Sequence, residues 1–130
     1  MTDSLDKHFK GSAYTAAWYC GISGSNPSFA AADTQGSHPG WTEGSCYAAA
    51  GRPAITWGTA TTGSIDNSGS KAVFTINATD SVGGAFVTTG SAKSGSPGIL
   101  YGGGAFAGGN RSVVSGDTLN VTVTCTASTA

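Results

Sequence analysis

Over residues 119–126 apolar and polar side chains alternate without interruption: Leu119, Val121, Val123 and Cys125 against Asn120, Thr122, Thr124 and Thr126. A β-strand sends successive side chains to opposite faces, so a period of two makes one apolar and one polar surface. The apolar face has to be covered by other elements of the same kind, and a one-sided strand of this sort belongs to an antiparallel sheet. The turn residues Ser115-Gly116-Asp117 set its start.

Weaker versions of the pattern recur. In residues 13–22, Tyr14, Ala16, Trp18, Cys20 and Ile22 fall on one face and Thr15, Ala17 and Tyr19 on the other, which predicts the first strand. Residues 52–57 read as a strand with Pro53 near its beginning, 71–77 as a strand in which Val73 opposes Phe74 and Ile76, and 84–90 as another short one. Ile99-Leu100-Tyr101 is strand-like, with Gly102-Gly103-Gly104 expected to mark a bulge or bend before Ala105-Phe106. Residues 59–69 read as a connection around Ile65. At the other end, Asp3 or Ser4 caps a short helical turn through Phe9, ended by Gly11, so that residues 1–11 form an N-terminal helical arm. Residues 23–51 form one long irregular loop, punctuated by Pro and Gly, that carries Phe29, Trp41 and Tyr47. The expected fold is all-β: a single domain over 1–130, built as an antiparallel β-sandwich or jelly-roll-like barrel, with a short N-terminal helical arm and one long loop.

Composition sharpens this. Gly, Ser, Thr and Ala fill 74 of 130 positions, while Val, Ile, Leu and Phe fill 20, so the core has little large apolar material to use. With a net charge of −1, such a chain suits tight strands and many turns rather than a self-repelling disordered coil. No apolar run reaches the roughly 18 residues of a membrane-spanning helix, and residues 1–30 lack a secretory leader pattern. Lys7, Lys10, Arg52, Lys71, Lys93 and Arg111 are scattered, which argues against a phosphate-binding stripe and against nucleic acid as a partner. Cys20, Cys46 and Cys125 form no paired motif and read as small buried hydrophobes in the reduced state.

Catalytic chemistry finds no foothold in the pattern. His8 and His38 stand outside any nucleophile or zinc signature, and Asp33, His38 and Glu43 have spacings that match no established metal geometry. The glycine runs lack the strand and helix context of a phosphate cradle and read as turns. The three Asn-x-Ser/Thr matches are what a Ser/Thr-rich composition produces. The expectation is a non-enzyme without cofactor or metal, whose functional candidates are apolar anchors for a partner: Leu5, Phe9, Phe29, Trp41 and Tyr47. For the last three, the alternative is that the loop folds back and covers the open end of the sandwich.

Several segments, in order along the chain, carry a resemblance. They are Leu5-Asp6-Lys7-His8-Phe9, residues 11–16, Trp18-Tyr19-Cys20-Gly21-Ile22, Arg52-Pro53-Ala54-Ile55-Thr56-Trp57-Gly58, Gly63-Ser64-Ile65-Asp66-Asn67-Ser68 and Ser115-Gly116-Asp117-Thr118-Leu119. Together they resemble a group of small tailed-bacteriophage virion proteins, described as tail-fibre or minor structural proteins. The chain departs from that pattern in residues 25–44, in Cys46-Tyr47-Ala48-Ala49-Ala50-Gly51, and in the glycine-rich stretch 97–110. The resemblance implies a structural role in the virion, assembled in the host cytoplasm. The preferred form is a capsid decoration (cement) protein whose partners are the major capsid protein and copies of itself. The alternative is a tail-fibre or baseplate-associated receptor-binding protein, with Trp41 and Tyr47 stacking on sugar rings.

Overall fold

A computed structural model describes residues 18–126. Ten short strands follow one another: β1 (Tyr19–Ser23), β2 (Glu43–Gly44), β3 (Ser64–Asp66), β4 (Ala72–Thr75), β5 (Asp80–Val82), β6 (Gly84–Thr88), β7 (Leu100–Ala105), β8 (Arg111–Val113), β9 (Thr118–Val121) and β10 (Thr124–Thr126). Every pairing is antiparallel. One sheet has the order β2-β1-β6-β7, and three two-stranded ladders pair β10 with β3, β4 with β9 and β5 with β8. The fold is all-β, with no helix among the described residues. The helical arm expected at 1–11, with Leu5 and Phe9, lies outside them.

The core draws on both parts. Cys20 and Ile22 of β1 pack with Phe74 of β4, Val82 of β5, Val113 of β8 and Val121 of β9, and Tyr47 joins them from the long loop. In β4 the buried set is Ala72 and Phe74, continued by Ile76, while Val73 is 51% exposed. β1 is buried on both faces. Period-two alternation explains this: Cys20 and Ile22 enter the core, and Gly21 and Ser23 face the long loop.

The last strand keeps its alternation but not its continuity. Val121 is buried and Leu119, Val123 and Cys125 are half-buried, whereas the polar set between them is exposed. The ladder breaks at Thr122 and Val123, because β9 runs beside β4 and β10 beside β3. Asn67, fully buried in the turn joining β3 to β4, bridges the break: its Nδ2 donates to the Val121 carbonyl (3.3 Å) and its Oδ1 accepts the Val123 N–H (2.7 Å). Groups that lost ladder partners thus regain them from one side chain.

Other expectations are corrected. Residues 52–57 form no strand. Pro53 has no N–H to give a ladder, and the Arg52 N–H turns to the Ser91 carbonyl. The segment instead runs irregularly along β1, where Cys20 N–H donates to the Pro53 carbonyl and Ile55 N–H to the Trp18 carbonyl. Among the described residues the first strand starts at Tyr19, after Trp18, and ends at Ser23; residues 13–17 of the expected strand lie outside them. The connection around Ile65 contains β3, and the long loop 23–51 contains β2, paired with β1 at Ile22 and Ser23. Gly102, Gly103 and Gly104 lie inside β7 rather than at a bend; the irregularity falls one residue earlier, where Val87 faces Gly102 and Thr88 faces Leu100, leaving Tyr101 over.

Candidate functional site

The loop-facing side of the four-stranded sheet is where the long loop is anchored. Gly21 pairs with Phe86, and Phe86 with Gly103, so one aromatic residue stands between two glycines across three strands. A Cβ at Gly21 would fall inside the Phe86 ring, and a Cβ at Gly103 would meet the Phe29 ring, so both glycines are required by close approach. On this floor Trp41 lies 4.8 Å from Phe86, Phe29 lies 5.0 Å from Trp41, and His38 stacks on Trp41 at 3.7 Å. Asp33 ties the loop to itself: its Oδ2 accepts the Trp41 indole N–H (3.0 Å) and the Ala30 backbone N–H (2.9 Å). The His38 Nδ1–H donates to the Trp41 carbonyl.

A second fastening is ionic. The Arg52 guanidinium meets the Glu43 carboxylate through two parallel bonds, Nε to Oε2 at 2.9 Å and an Nη to Oε1 at 2.6 Å, with side chains 0% and 7% exposed. Two further N–H groups reach the carbonyls of Gly90 (2.7 Å) and Gly95 (3.1 Å), and its charge lies 5.3 Å from the Phe86 ring centre. Gln35 Nε2 also donates to Gly95. The loop after β6 is therefore held to the long loop by four bonds from one buried guanidinium and one from Gln35. Lys93 adds a bond to the Tyr47 carbonyl and sits over the Tyr47 ring at 4.6 Å.

The predicted anchors now have places. Trp41 and Tyr47 are 5% and 0% exposed; Trp41 holds the loop on the sheet, and Tyr47 enters the core edge-on to Phe74 at 4.9 Å. Phe29 is half-buried and keeps a face at the surface. Asp33, His38 and Glu43 do not converge: the first two serve Trp41 and the third serves Arg52. Burial pushes the Cys20 thiol up to about 12 and raises Cys46 and Cys125 as well; all three cysteines are free.

Open features also occur among the described residues. A groove of about 510 Å³ runs between β7 and the β9–β10 segment; Val87, Gly102, Gly104, Phe106, Val123 and Cys125 line it among others, and none of its lining residues is charged. A smaller cleft of about 330 Å³ lies on the other side of β7, between Phe29, Asp33 and Tyr101. Sequence reading missed Arg52, Phe86 and the β7 edge. A lone Arg before Pro carries no local mark of an ion pair formed with a residue nine positions earlier. No family model matches the chain, and no curated protein or solved structure is significantly similar to it.

Proposed function

We propose that this chain is a structural protein of a tailed-bacteriophage virion, a decoration protein that binds the outer surface of the head and stabilises it, with no catalytic role. The observation that carries the reading is where the residues of the viral resemblance stand. Arg52, from the segment 52–58, is the buried partner of Glu43. In segment 63–68, Gly63 takes a φ of 73°, Asp66 accepts the Ser68 N–H, and Asn67 bridges the break between β9 and β10. In segment 115–119, Gly116 takes a φ of 98° and Asp117 accepts the Val114 N–H. These residues set turns and satisfy buried polar groups, so the likeness falls on what determines a scaffold.

In this reading the four-stranded sheet and the three ladders form the two layers of a β-sandwich that acts as a rigid plug. The arm with Leu5 and Phe9 and the surface of loop 23–51 with Phe29 lie across joints between capsid subunits, while Trp41 and Tyr47 hold that loop from within. Weak contacts repeated over a symmetric shell sum by avidity. The partners are the major capsid protein and copies of this chain, in a virion assembled in the host cytoplasm. Quantitative mass spectrometry of separated heads and tails tests it. Several hundred copies on heads are expected, together with a lower melting temperature for heads that lack the protein; a handful of copies, confined to tails, overturns it.

One observation favours the second reading, a tail component that binds host glycans. The cleft of about 330 Å³ between Phe29, Asp33 and Tyr101 has aromatic walls on which a sugar ring can stack and a carboxylate that can accept its hydroxyls. Tyr101 is 44% exposed, so sugar stacking on this surface falls to Phe29 and Tyr101 rather than to Trp41 and Tyr47. Binding to a glycan array that is lost on Tyr101→Ala, with the protein found on tails, supports this reading over the first.

A further inference from the structure

We propose that the outer edge of β7 is a self-association site, at which a second copy of this chain adds its own β7 antiparallel about a two-fold axis at Gly104. The direction of the backbone groups follows from the ladder. Cys20 N–H donates to Pro53 and Gly24 N–H to Thr42, so even-numbered residues of β1 turn their groups away from β6 and odd-numbered ones towards it. Carried through the pairs Gly21 with Phe86 and Val87 with Gly102, this sets Gly102 and Gly104 on β6 and points the N–H and C=O of Gly103 and Ala105 outward. No strand among the described residues pairs with that edge.

Natural edge strands are blunted by charge, proline, a bulge or a cover. Among the described residues none of these lies between Gly102 and Ala105; the irregularity at Tyr101 lies before the straight part. The adjoining groove has no charged residue among those described, and beyond the adjacent residues no described atom lies within 4 Å of a Cβ placed on Gly102 or Gly104. An uncharged, extended partner fits such an edge, and β7 itself meets that description. About an axis at Gly104, Gly103 bonds Ala105 of the second copy and the reverse, four hydrogen bonds in all. The two Gly104 residues form the non-hydrogen-bonded pair, where Cα atoms come within about 4.5 Å and glycine sets no side chains against each other. Two four-stranded sheets become one continuous sheet. Such an isologous contact closes on itself rather than propagating into a fibre.

The inference shares with the virion reading only the expectation of self-association. Sedimentation equilibrium of the purified full chain from about 1 µM to about 1 mM reads it directly. The expected mass rises from 12.8 kDa towards that of a dimer. Gly104→Lys sets two ammonium groups across the axis, with a Cβ that meets no described atom of its own copy beyond the adjacent residues, and weakens association by about tenfold or more with the melting temperature unchanged. Ala105→Pro, which deletes only an outward N–H, serves if the lysine variant folds poorly. Val73→Lys, on exposed β4 surface, leaves association as in the parent. A parent that stays monomeric overturns the inference, whether the edge is open or taken by another segment, and so does a Gly104→Lys variant that dimerises like the parent. A monomer that still binds heads in many copies would overturn this inference alone.

Discussion

Gly21 and Gly104 are chemically identical and occupy strands of one sheet, yet the structure uses them in opposite ways. At Gly21 the missing Cβ is the space filled by the Phe86 ring, which in turn supports Trp41. Gly21→Ala forces that ring aside and is expected to cost about 1–3 kcal/mol, the usual range for overpacking. Gly104→Ala meets nothing and gains a little strand propensity, so its unfolding midpoint should match or slightly exceed the parent's. Urea titration of the two variants checks the contrast; equal midpoints would mean that Phe86 has another place to go. Glu43 is a second residue on which much depends. Glu43→Gln leaves a guanidinium that is 0% exposed without its anion, a change that costs roughly 3–5 kcal/mol in comparable buried pairs. Removing both charges with Glu43→Leu and Arg52→Met is expected to recover a large part of that loss, as read from thermal melts.

At the scale of elements, the handover between β9 and β10 depends on a turn residue from a different part of the chain. Asn67→Ala removes the partners of the Val121 carbonyl and the Val123 N–H in one step, and should destabilise by about 1–3 kcal/mol. Hydrogen exchange at the Val123 amide should accelerate more than exchange at Phe74 in the neighbouring ladder; uniform acceleration would assign Asn67 to the core at large. Both faces of this strand were legible in the alternation of residues 119–126, because face is a local property. Where the ladder breaks was not, since it depends on β3 and β4 lying end to end beside the strand. The same limit explains β5 and β8, three residues each, too short to show a period. It also explains the long loop. Phe29, Trp41 and Tyr47 stood out as aromatics in a polar segment, but the floor that receives Phe29 and Trp41 is made by Phe86 with Gly21 and Gly103, from strands that the sequence does not show to be neighbours.

For the molecule as a whole, the shortage of large aliphatic residues means that ionisable side chains fill the core. Cys20, Cys46 and Tyr47 are buried beside Ile22, Phe74 and Ile76, and burial raises all three, with Cys20 pushed up to about 12. An unfolded chain ionises its thiols near pH 8.5 and its phenol near pH 10. Above those values the native state holds protons that the unfolded state has released, so stability falls as pH rises; below them the term is constant. The midpoint of urea unfolding should therefore be flat from about pH 6 to 8 and decline from about pH 9 upward, with each such group contributing at most about 1.4 kcal/mol per pH unit. Cys20→Val removes one titrating group while keeping an apolar side chain in place, and should make the alkaline decline shallower without changing its onset. A decline equally steep in Cys20→Val would show that the thiol ionises in the folded chain as readily as in the unfolded one, against the burial that the core imposes on it.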